Sequence, residues 1–170
     1  MIALVVSLAA AGIVVNGLSR QTGGTAAPQP DAGPDVGPDA GIERLAAQPG
    51  QVAVVDGGTL VLRGRVVRLL GVDPPMRGAT TCKAANGSTV DCWSAATNAL
   101  AALVWDRPVA CIVRGQDELG RPYAVCDARG TDLNRAQVAA GLARASNALP
   151  ALKRDEDQAR SGHRGVWAGR

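Results

Sequence analysis

The number and spacing of the four cysteines restrict the kinds of site that this sequence can form more than any other residue type does. They stand at Cys82, Cys92, Cys111 and Cys126, and no two of them form a C-x-x-C pair. With His163 as the single histidine, the chain lacks the ligand spacing of a structural zinc site. An even count behind an export-like N-terminal segment predicts two disulfides in an oxidising compartment. Four reduced cysteines in the core are the alternative.

The charged side chains are compatible with an anionic ligand without requiring one. The chain carries a net charge of +3, and the basic surplus follows an acidic linker. This balance suits a phosphate-bearing ligand, and it equally suits an ordinary solvated surface. Because the chain has no Phe and one Tyr, a core must be built mainly from Ala, Val and Leu.

The first 47 residues are predicted to lie outside the globular domain. Residues 2–15 are almost unbroken apolar, and the first charged side chain is Arg20. We therefore expect an apolar helix over 1–19, a signal peptide or, by preference, an uncleaved anchor that contacts the membrane through residues 2–18. Residues 20–47 are predicted to be a disordered linker, because three tandem Pro-Asp-Ala/Val-Gly tetrapeptides offer nothing to bury. The domain itself, 48–170, is expected to be a periplasmic or extracellular monomer.

Hydrophobic periodicity predicts an α+β, mainly β, domain behind this linker. The predicted strands are a meander and a later hairpin, over Val52–Val55, Thr59–Arg63, Arg65–Val72, Val109–Val113 and Tyr123–Asp127. The predicted helices are Ser94–Trp105 with Ser94 as N-cap, Leu133–Ala140 and Pro150–Ser161. Five antiparallel strands interrupted by one helix are typical of a five-stranded OB-fold barrel, here with three helices.

The symmetry of the later hairpin predicts how the cysteines pair. If its turn is centred between Glu118 and Leu119, Cys111 faces Cys126 on the neighbouring strand, within disulfide range. The other two cysteines then close a nine-residue loop. We therefore predict the disulfides Cys82–Cys92 and Cys111–Cys126.

Several short motifs, in order along residues 51–168, resemble the staphylococcal nuclease (thermonuclease) family. Each motif is weak alone, and together they cover nearly all of the predicted domain. They are Val55–Leu60, Val67–Pro75, Asp117–Arg121, Asp132–Asn134, Gly141–Ala143 and Gly165–Trp167.

The resemblance implies a calcium-dependent phosphodiesterase on an OB-fold barrel, acting on nucleic acid. Arg68 and Arg121 match the two catalytic arginines, which bind the phosphate and stabilise the charge of the transition state. Asp73 matches one calcium-binding aspartate, and Asp56 matches an acid just behind the metal. The implied ligands are therefore Ca²⁺ and nucleic acid or nucleotides, although few aromatics are present for stacking on bases.

The sequence departs from the family pattern where the chemistry is most demanding. Gly58 stands where the family carries its first calcium aspartate, Met76 where it carries the general base, and Pro74 where threonine is usual. Glycine has no carboxylate and methionine cannot take a proton, so Ca²⁺ is expected to bind weakly or not at all. We expect a catalytically impaired domain that binds phosphate-bearing ligands. The alternative is an active enzyme with a metal site rebuilt from Asp56, Asp73 and Glu118.

The remaining distinctive side chains are expected to be structural. Trp93, Trp105 and Trp167 are predicted to pack as core residues beside the first and last helices. Glu156 is predicted to fix a loop from the third helix, and His163 to face solvent.

Overall fold

The computed structural model describes residues 41–83 and 87–168. The predicted apolar helix and most of the predicted linker lie outside these residues. Eleven strands are described, several of only two or three residues: β1 Arg44–Ala47, β2 Val52–Asp56, β3 Thr59–Leu62, β4 Arg65–Leu69, β5 Val72–Asp73, β6 Thr81–Lys83, β7 Thr89–Asp91, β8 Val109–Gln116, β9 Pro122–Ala128, β10 Thr131–Asp132 and β11 Arg144–Ala145. The α-helices are α1 Cys92–Val104, α2 Leu133–Ala139 and α3 Lys153–Ser161. Short 3-10 turns cover Pro49–Gln51, Pro150–Leu152 and Gly165–Trp167.

The mainly β character and the three helices are confirmed, but the predicted closed five-stranded barrel is wrong. The main sheet has seven strands in the order β1-β8-β9-β4-β3-β2, with β10 added beside β9. Over the described residues the sheet is open, since β1 and β2 form its two edges. The physical reason is that β1 pairs with β8 through Arg44 to Ala47, and so occupies the edge that a closing strand would need.

Strand β1 also lies within residues 20–47, which the sequence analysis assigned to the linker. Its burial alternates from exposed Arg44 to buried Ala47, but its sequence Arg-Leu-Ala-Ala contains no β-branched or aromatic residue. Propensity alone therefore gave little sign of a strand, and pairing with β8 is what orders these four residues. The domain thus begins at least four residues before the predicted position.

Asp91, not the predicted Ser94, is the N-cap of α1. One oxygen of its carboxylate accepts hydrogen bonds from the backbone N–H and the hydroxyl of Ser94, at 3.0 and 3.1 Å. The other oxygen accepts the N–H of Gly78 at 3.0 Å. These contacts, the N–H of Ser94 above all, lower the pKa of Asp91. The cap therefore also ties the loop before β6 to the helix.

Small aliphatic side chains fill the main core, as predicted. Leu60, Val67 and Leu69 of the sheet pack in one cluster with Leu100 of α1 and Leu133 of α2. The tryptophans divide differently from the prediction. Trp167 is 5% exposed and plugs a second, smaller cluster. Trp105 is 81% exposed, so its predicted core role is wrong. It is the C-cap residue of α1, directly after the buried Val104, and its own side chain lies in solvent.

The predicted disulfides Cys82–Cys92 and Cys111–Cys126 are both confirmed, with Cα–Cα distances of 5.1 and 4.1 Å. The hairpin turn itself is centred on Leu119, half a residue later than predicted, because Gly115 pairs with Tyr123. A bulge between Val113 and Gly115 takes up the extra residue and restores the register at Cys111. The second disulfide, Cys82–Cys92, joins β6 to the first residue of α1.

Within 41–83 and 87–168, none of the helices combines the length and the apolar character that a membrane crossing requires.

Glu156 fixes the β11 loop from α3, as predicted. Its side chain is buried and accepts the N–H of Ala145 at 3.0 Å and the ammonium of Lys153 at 2.8 Å. Burial tends to raise the pKa of Glu156. The hydrogen bonds from Lys153 and Ala145, with the charges of Lys153 and Arg160, outweigh it and lower that pKa. The ionised form therefore stabilises the fold.

Replacing Glu156 by Gln should reduce the free energy of unfolding by about 1–3 kcal/mol at pH 7, because the amide cannot accept from both partners. The folded-state pKa is lowered, so this contribution is present above the unfolded pKa of about 4.3 and is lost as pH falls through the folded value. Urea unfolding at pH 7 and pH 3 measures both effects. The control is Asp157→Asn, an exposed acid on the same helix. An equal loss for Glu156→Gln at both pH values would contradict this account.

Candidate functional site

The turn between β2 and β3 is held in place by close packing. The Asp56 carboxylate accepts the N–H of Gly58 at 2.8 Å, and the turn lies against α1. A Cβ on Gly57 would lie 2.5 Å from the Cβ of Ala96, so only glycine fits at this position. The predicted hairpin role of Asp56 is therefore confirmed, and it uses one oxygen of the carboxylate.

Two buried amides on α2 fix this turn and the neighbouring strands. Gln137 donates to the carbonyl of Gly57 at 2.7 Å and to that of Ala96 at 2.9 Å. Asn134 accepts the N–H of Cys126 and donates to Leu70 and Ala124 at 2.8 and 3.0 Å. Gln137 was missed by the sequence analysis. Its spacing of three from Asn134, on a helix otherwise buried along that face, is the signal that could have found it.

A cavity of about 350 Å³ opens beside the turn and collects most of the predicted site residues. Its charged lining residues are Asp56 from β2, Arg68 from β4, Asp73 from β5 and Arg77 from the loop that follows. Trp93 of α1 and the Pro74–Met76 segment complete the lining. The fold therefore brings together two carboxylates and two guanidinium groups that lie up to 21 residues apart in sequence.

Arg68 is half-buried near the end of β4, one residue before Leu69. Its register partners are Thr59 on the antiparallel strand β3 and Tyr123 on the parallel strand β9. The Arg68 guanidinium carbon lies 5.4 Å from the centre of the Tyr123 ring. The arginine is thus flanked by a strand on each side and contributes to the cavity lining.

Arg121, the other predicted phosphate-binding arginine, has a different local partner. Its guanidinium donates to the Asp117 carboxylate at 2.6 Å, and its backbone N–H donates to the same side chain at 2.9 Å. Desolvation tends to raise the pKa of Asp117, but the N–H and guanidinium of Arg121 and the N–H of Leu119 lower it overall. Arg121 does not contribute to the lining of the Arg68 cavity. The Asp117 carboxylate thus fixes both the turn and the arginine.

Gly58 and Pro74, two of the three departures from the family pattern, pack against each other. A Cβ on Gly58 would lie 3.1 Å from two ring carbons of Pro74, and 3.5 Å from a methyl group of Val72. Gly58 therefore leaves the room that the proline ring occupies. Met76, the third departure, lines the cavity with 77% of its surface exposed. An aspartate cannot simply be returned to position 58 without movement of Pro74.

The donor set does not fit a calcium ion. Calcium takes about six to eight oxygen ligands, and this cavity offers the carboxylates of Asp56 and Asp73 only. One oxygen of Asp56 already accepts the N–H of Gly58. Within the described part of the chain, no three His, Cys, Asp or Glu side chains are grouped to hold a metal. Glu118, the third acid of the alternative site, is exposed in the hairpin turn and does not line this cavity.

Comparison with known proteins agrees with this arrangement of elements. A family model described as staphylococcal nuclease homologue matches residues 66–169, more than half of the chain. The matched region begins in β4 and includes Arg68, Asp73, Met76 and Arg121. A search of curated proteins gave no significant match.

Substitution of Gly57 and of Gly58 should reduce the free energy of unfolding by different amounts. Gly57→Ala should reduce the free energy of unfolding by about 3 kcal/mol or more, because Ala96 and its helix backbone cannot move away. Gly58→Ala should cost about 1 kcal/mol, and Pro74→Ala should remove most of that cost. A double-mutant cycle by urea unfolding measures this coupling. Equal costs at the two glycines, or additivity of Gly58→Ala with Pro74→Ala, would contradict the packing argument.

Proposed function

The chain belongs to the staphylococcal nuclease homologues, and on that premise we propose that its domain binds phosphate-bearing ligands at the Arg68 cavity and is impaired as a nuclease. Nucleotides and nucleic acid are the proposed ligands. The observation that carries the proposal is the position of Arg68, which is half-buried in the sheet and lines an open cavity. A guanidinium fixed in this way matches the oxygens of a phosphate and loses little conformational freedom on binding.

Impaired catalysis is supported by the two residues that replace reactive groups. Met76 stands at the general-base position, and a positioned base is worth about 10²–10⁴ in rate. Gly58 stands at the position of the first calcium aspartate, with its space taken by Pro74. Both changes affect water activation and metal binding, while neither removes Arg68. Binding is therefore retained where hydrolysis is lost.

A second candidate function is an active phosphodiesterase with a rearranged metal site. The observation that favours it is that Asp56 and Asp73 line one cavity with Arg68. Glu118 does not join them there, so the two aspartates would need ligands from solvent or from the substrate. This candidate predicts calcium-dependent cleavage that the binding proposal does not.

We also propose that the domain is exported, either secreted or held by residues 1–19. Both disulfides support this, because such bonds persist in oxidising compartments and are rare in the cytosol. Alkylation of thiols in protein taken from its native compartment should find none that react. Four reactive thiols would contradict export.

Removing Arg68 should weaken ligand binding sharply. We expect Arg68→Ala to raise the dissociation constant of a nucleoside 3′,5′-bisphosphate by about 10-fold or more at low ionic strength, because a charged hydrogen-bonding pair is lost. Wild-type affinity should also fall as salt rises. Isothermal titration calorimetry measures both. The control is Arg65→Ala, which removes the same charge from the same strand but from its opposite face. Equal effects of the two variants, or absence of binding by the wild type, would contradict the proposal.

Nuclease activity should be restored by returning the missing groups together. The wild type should show no calcium-dependent cleavage of denatured DNA above the Arg68→Ala variant. The triple variant Gly58→Asp, Pro74→Thr and Met76→Glu should raise cleavage by about 10²-fold or more, since the general base alone is worth that factor. Gly58→Asp without Pro74→Thr should gain less. Calcium-dependent cleavage by the wild type that Asp73→Asn abolishes would favour the active-enzyme candidate instead.

A further inference from the structure

We infer that Arg77, stacked on Trp93, is the second arginine that binds the phosphate group at the Arg68 cavity. This inference rests on the proposed function, because it concerns the same ligand. It assigns to Arg77 the part that the family resemblance gives to Arg121. Arg77 comes directly after Met76, and the sequence analysis placed it in no predicted strand, helix or site.

Arg68, Arg77 and Arg121 differ in their position relative to the cavity. Arg68 and Arg77 line the same cavity, one from β4 and the other from the loop after β5. Arg121 does not line it, and its guanidinium is engaged by Asp117 at 2.6 Å. A phosphate in the cavity would therefore meet Arg68 and Arg77 without any rearrangement of the hairpin. The Nε–H of Arg121 donates to Asp117, which holds this guanidinium in the hairpin, outside the lining of the cavity.

Arg77 is held by contact with the ring of Trp93. Its guanidinium carbon lies over the Trp93 ring, 3.7 Å from the ring centre, in van der Waals contact with the ring face. The other arginine–ring contacts among the described residues are longer, at 4.5 and 5.4 Å. Stacking uses the flat face of the guanidinium and leaves its N–H groups at the edge, where they can donate to a phosphate. The indole thus orients Arg77 while its hydrogen-bonding capacity remains.

The loop that carries Arg77 is anchored by two hydrogen bonds and a disulfide. The N–H of Gly78 donates to the Asp91 carboxylate, and the N–H of Cys92 donates to the carbonyl of Thr80, each at 3.0 Å. The Cys82–Cys92 disulfide then ties the end of the loop to the residue beside Trp93. The same helix end therefore holds both members of the stack. Such preorganisation lowers the entropy that ligand binding must overcome.

The charges of the cavity lining balance only when Arg77 is included. Asp56 and Asp73 bring two carboxylates to the cavity, and Arg68 alone leaves a surplus of negative charge. Arg77 balances that surplus. Asp91, whose charge interacts with that of Arg77 from the helix side, accepts the N–H groups of Gly78 and Ser94. Without Arg77 the lining would carry a net negative charge and repel an anionic ligand, and with Arg77 it does not.

The test measures binding of a nucleoside 3′,5′-bisphosphate to the full chain by isothermal titration calorimetry at low ionic strength. Arg77→Ala should raise the dissociation constant by about 10-fold or more, similarly to Arg68→Ala, because each removes a charged hydrogen-bonding partner. Arg77→Lys should fall between Arg77→Ala and the wild type, since lysine keeps the charge and loses the flat stack. Arg121→Ala should weaken binding less than Arg77→Ala. Arg65→Ala is the charge-matched control on the opposite face of β4.

A second variant separates the stack from the charge. Trp93→Leu leaves Arg77 in place, removes its ring partner, and should raise the dissociation constant by about 3-fold or more. Thermal unfolding checks that each variant folds; Arg77 is exposed, so its substitution leaves the core intact.

The outcomes separate the two claims. If Arg68→Ala weakens binding while Arg77→Ala and Trp93→Leu do not, the inference is wrong and the proposed function stands. A larger effect of Arg121→Ala than of Arg77→Ala would likewise overturn the inference in favour of the family arrangement. If the wild type binds no bisphosphate, both claims fail together.

Discussion

Two buried side-chain amides on one short helix hold together the parts of the fold that meet at the cavity. Gln137 ties the carbonyl of Gly57 to α1, and Asn134 ties β9 to the segment after β4. Both side chains are fully buried, where unpaired backbone groups would be costly. The position of Asp56, of Arg68 and of the helix that carries Trp93 therefore depends on α2, which does not itself line the cavity.

The packing of Gly58 against Pro74 shows how a catalytic position can be lost without damage to the fold. A glycine at this position frees space and the proline ring occupies it, so the two residues act as a pair. The turn keeps its hydrogen bonds, because the N–H of Gly58 still reaches Asp56 and its carbonyl still accepts from Leu69. The fold depends on the backbone groups of Gly58, whereas metal binding would need a side-chain carboxylate at this position, so the carboxylate can be lost while the turn is kept.

The Cys82–Cys92 disulfide helps to order the site, although neither cysteine lines the cavity. It joins β6 to the first residue of α1, and with Ala159, Val166 and Trp167 it forms the second apolar cluster. The loop that carries Met76 and Arg77 is therefore held between the disulfide, the Asp91 cap and this cluster. A chain with no Phe has few large side chains with which to order such a loop. A covalent bond and a charged cap do so instead.

Sequence alone determined the features that depend on neighbours along the chain. The presence of three helices, the turn at Asp56–Gly58 and the pairing of Cys111 with Cys126 follow from local periodicity and hairpin geometry, although the N-cap of α1 was misplaced and a bulge in the hairpin restores the register. Tertiary structure alone decided which side chains share a cavity. Arg77 lines the same cavity as Arg68, while Arg121 binds Asp117. Strand β1 adds an edge strand to the sheet from residues that composition assigned to the linker. The reason is that the cavity is assembled from β2, β4, the loop after β5 and α1, and no local spacing encodes how segments so far apart pack together.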